Sequence, residues 1–247
     1  DIQAVEMFFT PLCWTGYVLW ADGAVAALRG RSLLTSNRRA FWLLAAASVP
    51  LWLIFELYNL RLANWFYAGL PSNPAIRYFS YAWAFATIWP GIFVTAALLR
   101  AMEFLPAEYT RDAKVTSEKT SGTTGWLPRM SMLLGATFLL LPPLLPREFS
   151  VYLFGFVWLG PALLLDPLNR RAGRQSLWTD LKRGDATRLN ALLLAGAVCG
   201  LLWEYWNHAA AARWVYSFPI LADYRMFAMP LPGYLGFPVF ALDCFAM

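Results

Sequence analysis

The stretch LNALLLAGAVCGLLWEYWNH, residues 189–208, contains one acidic residue, Glu204, and no Lys or Arg. At 1.5 Å of rise per residue, about 20 residues in a helix cross the ~30 Å hydrocarbon core of a bilayer. The run is continuous in its apolarity rather than alternating, and it is rich in Leu and Ala, so it predicts a helix rather than a barrel strand. Six further runs read the same way: Met7–Leu28, Ala40–Leu60, Tyr78–Ala101, Met130–Leu145, Phe149–Leu168 and Met226–Met247. Met130–Leu145 is the shortest, with Pro142 and Pro143 near its end, and a re-entrant or interfacial segment is its alternative. The fold class expected is all-α, a polytopic membrane helical bundle of about seven transmembrane helices.

Composition points to the same solvent. Of 247 residues, 59% are hydrophobic, 17% aromatic and only 14% charged, against about 25% charged in soluble domains. That excludes a water-soluble globular fold and makes membrane lipid the first partner. The net charge of +5 does not indicate nucleic acid, because the basic residues cluster in short segments between apolar runs. If all seven runs span, fifteen Lys and Arg fall on one side, in the segments holding Arg29–Arg39, Arg100–Arg129 and Arg170–Arg188, and five on the other. The positive-inside rule then places the amino terminus outside and the basic loops in the cytoplasm, with a bacterial inner or plasma membrane as the expected location. Cys13, Cys199 and Cys244 lie inside apolar runs without a CxxC or a neighbouring His, so they read as small core residues rather than disulfide or metal ligands. Beginning at Asp1 and ending at Met247 inside an apolar run, the sequence reads as processed or incomplete at both ends, with no cleavable signal peptide.

The two halves resemble each other in a fixed register. Leu53-Ile54-Phe55-Glu56-Leu57-Tyr58-Asn59 and Leu201-Leu202-Trp203-Glu204-Tyr205-Trp206-Asn207 place acid and amide at an offset of 148. Phe79 and Phe227, and Pro90 and Pro238, keep that offset, while Trp65 and Tyr67 match Trp214 and Tyr216 at 149. Trp14, Gly16, Asp22, Ser32 and Leu33 match Trp158, Gly160, Asp166, Ser176 and Leu177 at 144. The expected organisation is a duplicated three-helix unit, 3+1+3. Residues 1–104 form the first repeat, 105–128 a flexible cytoplasmic linker, 129–146 a connecting helix and 147–247 the second repeat. One helix between the copies makes them parallel, related by an axis along the membrane normal.

The scarce polar residues within the runs define the candidate site. Glu56 and Glu204 are the candidate catalytic residues, because an intramembrane carboxyl group costs roughly 2.5 kcal/mol or more if it faces lipid and so should face protein or a wet cavity. Held protonated there, either is a potential proton donor. Asn59 and Asn207 follow three residues later on the same helical face. The competing reading makes these residues hydrogen-bonded ties between helices, with no chemistry attached. Asp22 and Asp166, near the inner helix ends, read as helix-end hydrogen-bonding groups. His208, the only histidine, is either a ligand-binding group or a structural one. The aromatic residues Tyr58, Trp65, Trp203, Trp206 and Trp214 are candidate ligand-binding residues whose faces could cradle a polyene or a cation; an interfacial belt is the simpler reading of Trp65, Tyr67, Trp214 and Tyr216, which follow the Glu-bearing helices on the outer side. Pro230 and Tyr234 join the ligand-binding set because the last run, broken by Pro230, Pro232, Gly233, Gly236 and Pro238, should line the interior.

Trp203-Glu204, Trp214-Val215-Tyr216 and the Pro230–Phe237 segment, in that order and spacing, resemble the membrane lycopene cyclase domain of carotenoid biosynthesis. That family is itself a tandem of three-helix units. Its repeat carries an acidic residue late in the second helix, then Trp-x-Tyr or Trp-x-Phe, then a helix opening on Pro-x-Glu-Glu. Glu56, Trp65-Phe66-Tyr67 and Tyr81–Pro90 form a more degenerate first copy. In place of the paired glutamates, which the resemblance implies as proton donors, this chain has Pro232-Gly233 and Ala84-Phe85. The resemblance implies binding of a long isoprenoid or carotenoid between the repeats and acid-catalysed cyclase- or hydratase-like chemistry by Glu204 or Glu56. The alternative is a non-catalytic subunit of a larger membrane complex, such as a photosynthetic or electron-transfer assembly, packed against other membrane subunits and holding carotenoid, quinone or lipid; a transporter is a third reading. No cofactor or metal is required by any of these patterns.

A cysteine replacing Arg174 is expected to react with impermeant thiol reagents only from the cytoplasmic side. Labelling from outside would overturn the parallel arrangement of the repeats.

Overall fold

Asn37 begins the first long helix with its side chain accepting from Ala40 N, and Ala63 ends it in the left-handed conformation, so this apolar run is bounded by local chemistry at both ends. The computed structural model describes residues 2–103, 125–217 and 219–247. The first part holds α1 (Ile2–Met7), α2 (Phe9–Arg29), α3 (Leu33–Ser36), α4 (Arg38–Leu62), β1 (Trp65–Ala68), α5 (Pro74–Ala86) and α6 (Ile88–Ala101). There follow α7 (Trp126–Leu144), α8 (Arg147–Ser150), α9 (Phe154–Val157), α10 (Gly160–Arg171), α11 (Leu177–Lys182) and α12 (Thr187–Ala209). The chain closes with β2 (Arg213–Tyr216), β3 (Arg225–Met226), β4 (Met229–Pro230), a 3-10 turn at Leu231–Leu235 and α13 (Gly236–Ala246). Of the expected 105–128 linker, all but 125–128 lies outside the described residues.

The protein is mostly helical. Among the described residues four helices are long and apolar enough to cross a membrane: Arg38–Leu62, the α5–α6 pair Pro74–Ala101, Trp126–Leu144 and Thr187–Ala209. They are compatible with an integral membrane location, as is the exposure of large apolar groups such as Trp20, Trp42, Leu57, Leu60 and Leu144. The shortest apolar run proves to be an uninterrupted helix, starting four residues earlier at Trp126 and carrying Pro142 and Pro143 inside its last turns.

The other runs take different forms. α2 is 21 residues long, but Thr10, Thr15, Asp22 and two glycines make it less apolar than the four. Phe149–Leu168 is divided among α8, α9 and α10, with Gly160 and Pro161 opening the last. Met226–Met247 is divided between the β3–β4 pair, the 3-10 turn and the 11-residue α13. The all-α expectation is corrected by two short antiparallel ladders, β1 with β2 and β3 with β4. They are two to four residues long, too short for a ruler of twenty to register.

Small residues set the helix crossings. Gly196 and Gly200, one turn apart on α12, lie against Phe237 of α13: a Cβ on the first would overlap the Phe237 carbonyl oxygen and on the second its ring. α7 and α10 approach in the same way, since a Cβ on Gly135 would lie 2.5 Å from Leu164 N. Backbones brought this close gain the dispersion contacts that hold helices together where lipid offers no hydrophobic drive. In the centre, the Phe240 ring meets Trp52, Phe55 and Trp89 at centroid distances of 5.7, 5.4 and 5.5 Å. Trp89 is buried with its N–H satisfied, donating to Cys244 O at 3.0 Å.

Gly196→Val should therefore separate α12 from α13 and cost about 1–3 kcal/mol, the scale of overpacking. Thermal unfolding in detergent measures this, with Leu194→Val on the exposed face expected to change little.

Candidate functional site

Both glutamates end up as hydrogen-bond acceptors for aromatic donors on the strand that follows their helix. Glu56 Oε1 accepts from Trp52 Nε1 at 2.9 Å, Trp65 Nε1 at 3.3 Å and Tyr67 Oη at 2.6 Å. Glu204, fully buried, accepts through Oε1 from Trp214 Nε1 at 3.3 Å and Tyr216 Oη at 2.5 Å. Its Oε2 has no partner among the described residues. Trp214 Nε1 also donates to Tyr216 Oη at 2.6 Å.

The asparagines explain why the strands sit there. Asn59 Nδ2 donates to Trp65 O at 2.8 Å, while its Oδ1 accepts from Asn64 N at 2.9 Å and Trp65 N at 3.2 Å. Asn207 Nδ2 donates to Trp214 O and its Oδ1 accepts from Trp214 N, both at 3.0 Å. Each amide thus behaves as one rung of a β-ladder, holding the strand's backbone against the helix end so that its Trp and Tyr reach the carboxyl group one turn back.

The strands then pair with each other. Trp65 stands opposite Tyr216, Phe66 opposite Val215 and Tyr67 opposite Trp214. Two Trp-x-Tyr segments paired in this register are self-complementary, like the two sides of an isologous interface. Ser217 extends the ladder, its N donating to Asn64 O at 2.9 Å and its Oγ to Ala63 O at 2.7 Å. Gly69, at φ +66°, turns the chain away beneath Ala211, whose carbonyl oxygen leaves no room for a Cβ. Burial first, and then the adjacent glutamate, pushes the Tyr67 and Tyr216 phenols well above the ordinary tyrosine range, so both remain hydrogen-bond donors at neutral pH.

Beneath the ladder lies an apolar cavity, narrow inside at about 90 Å³ and about 1150 Å³ when its open mouth is included. Trp52, Trp65, Tyr67, Trp203, Trp214 and Tyr216 line it, so aromatic groups from both halves of the chain converge. Arg77 and Arg213 stand among the lining residues, and Arg77 is held by Pro71 O at 2.9 Å. Neither Glu56 nor Glu204 is part of the lining; the phenols and indoles that donate to them are.

The remaining candidates are dispersed. Tyr58 donates to Leu139 O of α7 at 2.9 Å, and Trp206 packs edge-on to Trp14 at 4.8 Å. His208 is exposed, its ring 5.7 Å from that of Phe227. Pro230 pairs with Arg225 in the β3–β4 ladder, and Tyr234 donates to Met226 O at 2.8 Å. Of the ten ligand-binding candidates, which include Asn59 and Asn207, three, Trp65, Trp203 and Trp214, line the cavity, and the other seven do not. No group of His, Cys, Asp and Glu that could hold a metal ion occurs among the described residues.

At the opposite end of the helices, Asp22 accepts from Ser32 Oγ at 2.6 Å and Leu34 N at 3.2 Å. Asp166 accepts from Ser176 Oγ at 2.9 Å, Leu177 N at 2.7 Å and Trp178 N at 2.9 Å. Both anchor the start of a short helix, the helix-end role expected. Asp243 is a polar residue the apolar pattern concealed: fully buried in α13, it accepts from Ala162 N at 2.9 Å and so caps α10. Tyr67 and Tyr216, readable from sequence as belt residues, prove to be the donors that join carboxyl group to cavity.

No protein-family model, curated protein or solved structure matches this chain. Its site is therefore interpreted from its own geometry.

Asn207→Ala should remove two backbone-directed hydrogen bonds at a buried position and cost about 2–3 kcal/mol. Glu204→Gln keeps an acceptor oxygen and should cost less. Comparing the two variants by chemical unfolding tests this order, and the reverse order would contradict the assignment of Asn207 as the strand's anchor.

Proposed function

We propose that the chain is an integral membrane protein that binds a long isoprenoid, of the carotenoid type, in the aromatic cavity between two copies of a three-helix unit. The observation that carries this reading is the cavity itself: narrow, apolar, faced by π surfaces from both halves, with two phenols each hydrogen-bonded to a carboxyl group behind it. An apolar cavity faced by aromatic rings and open at its mouth suits one end of a long apolar chain. The duplication is supported by three sets of recurring hydrogen bonds: Asp22–Ser32 with Asp166–Ser176, Asn59–Trp65 with Asn207–Trp214, and Glu56–Tyr67 with Glu204–Tyr216. The resemblance to the membrane lycopene cyclase domain points to the same class of ligand. A 3+1+3 arrangement, with α2, the α8–α10 segment and the 3-10 turn together with α13 completing seven crossings, is part of this proposal.

The proposed chemistry is protonation of a terminal double bond of the polyene. The acid is the protonated Glu204 carboxyl group, which gives its proton to Tyr216 Oη as that phenol, lining the cavity, gives its own to carbon in the same step, so that no phenolate forms; the Tyr67–Glu56 pair is the equivalent relay. The carbocation formed is stabilised by the faces of Trp203, Trp214 and Trp65. Ring closure followed by proton loss returns the proton to the relay, giving an isomerised hydrocarbon. Capture of water, followed by loss of its proton, gives a hydrated product.

A second reading is favoured by the screening of both carboxyl groups from the cavity: a non-catalytic subunit that holds pigment, quinone or lipid while Glu56 and Glu204 only tie their strands in place. Pigment analysis in cells that make acyclic carotenoids separates the two. Expression of the protein is expected to alter the pigment profile, and Glu204→Gln to abolish the change. Unchanged pigments with the unaltered protein would remove the catalytic reading, and retention of pigment on purification would then favour the second.

A further inference from the structure

Thr10 and Trp14 stand one turn apart on α2, both line the aromatic cavity, and both carry a buried polar atom, Oγ1 and Nε1, with no partner among the described residues. Trp14 is 3% exposed. The Cε3–Cζ3 edge of its indole lies against Gly91, where a Cβ would come within 3.0 Å of Cζ3, so Nε1 is on the opposite side of the bicycle, away from α6. Trp158, its counterpart at an offset of 144, turns the same edge toward Gly236 and also buries an unpartnered Nε1. It stands on the wall between this cavity and a neighbouring one of about 270 Å³. The aromatic cavity's lining contains no carboxylate, amide or imidazole; its side-chain acceptors are hydroxyls such as those of Ser80 and Tyr81, and neither Thr10 Oγ1 nor Trp14 Nε1 is bonded to one. Buried polar groups are almost always hydrogen-bonded, and an unpaired donor in apolar surroundings carries its full desolvation cost. A pure hydrocarbon would leave these donors unpaired.

We infer that the cavity takes an oxygenated isoprenoid, whose carbonyl or hydroxyl oxygen accepts hydrogen bonds from Trp14 Nε1 and Thr10 Oγ1. This rests on the isoprenoid reading above and narrows it to a class of ligand. The oxygen fixes how far the apolar chain slides into the slot, which places one part of the polyene beside the Tyr67 and Tyr216 phenols. Trp158 offers a second donor for an oxygen at another point of the chain.

The test compares a carotene hydrocarbon with the diketone of the same polyene length, each bound to the purified protein in phosphatidylcholine nanodiscs, with empty discs as baseline. The diketone is expected to bind about tenfold tighter, the scale of one hydrogen bond completed in apolar surroundings. Trp14→Phe, which removes the N–H together with the five-membered part of the indole, and Thr10→Val, which keeps the shape and removes the hydroxyl, should each erase most of that preference, read as the ratio of diketone to carotene affinity within each variant. Thermal unfolding in the same discs reports that the variants fold. Equal binding of the two pigments overturns this inference and leaves the isoprenoid reading standing. A preference that survives in both variants overturns the assignment to α2. Binding of neither pigment overturns the inference and the isoprenoid reading together.

Discussion

Apolar surroundings offer no water to complete a hydrogen bond, so a chain that leaves a helix near the membrane must bring its own partners. Asn59 and Asn207 are those partners. After α4 and α12 end, the backbone of Trp65 and of Trp214 would otherwise expose an N–H and a C=O that the short strands satisfy only in part. Each asparagine meets both groups with one side chain, donating to the carbonyl and accepting from the amide. With the strand fixed, Trp65 and Tyr67, or Trp214 and Tyr216, have one direction left for their polar ends, toward the glutamate one turn earlier. The β1–β2 pairing, the screened carboxyl groups and the roof of the cavity all follow from that amide.

The same economy governs the packing below. Where a helix must approach closely, glycine replaces bulk, at Gly196 and Gly200 against Phe237 and at Gly135 against α10. Where a helix start lies buried, a carboxylate from another segment takes its free N–H groups, as Asp243 does for α10 and Asp22 and Asp166 do for the short helices after them. Trp89 combines both needs, filling the centre with its ring and satisfying its N–H on a backbone carbonyl. Outward-facing positions carry no such constraint, and there Leu, Trp and Phe are freely exposed.

How much of this could be read from the sequence depended on the range of the interaction. The Glu-x-x-Asn elements were legible because three residues in a helix share a face, and the helical runs because hydrophobicity repeats locally. The Trp-x-Tyr segments were visible but misassigned in emphasis, since their donors reach the glutamates only after the chain reverses. The pairing of β1 with β2 joins residues about 150 positions apart, and no local pattern carries that information. Runs such as Phe149–Leu168 were apolar enough to read as single helices, yet Gly160-Pro161 restarts the helix midway. Asp243 was hidden because one acid in a long apolar run does not alter its average, although a buried acid requires a partner. Trp14 and Trp158 were matched to each other by register, but that their N–H groups are buried without a partner among the described residues is a fact of the folded chain alone.

The two glutamate networks are alike in plan and unequal in detail. Glu56 Oε1 has three donors and Trp52 supplies one of them from within its own helix. The position that corresponds to Trp52 in α12 is Gly200, which is needed there for the close approach of Phe237. Packing against α13 has therefore removed the donor that would match Trp52, and Trp214 shares its N–H with Tyr216 rather than giving it wholly to Glu204. The carboxyl group left with fewer donors is also the one whose Oε2 is unpartnered among the described residues. Asn207 is poorer in donors as well, its Oδ1 accepting from Trp214 N alone where Asn59 Oδ1 accepts from both Asn64 N and Trp65 N. The donor missing at Glu204 therefore has a packing cause, the close approach of Phe237 at Gly200, and the second network holds its strand with fewer hydrogen bonds than the first.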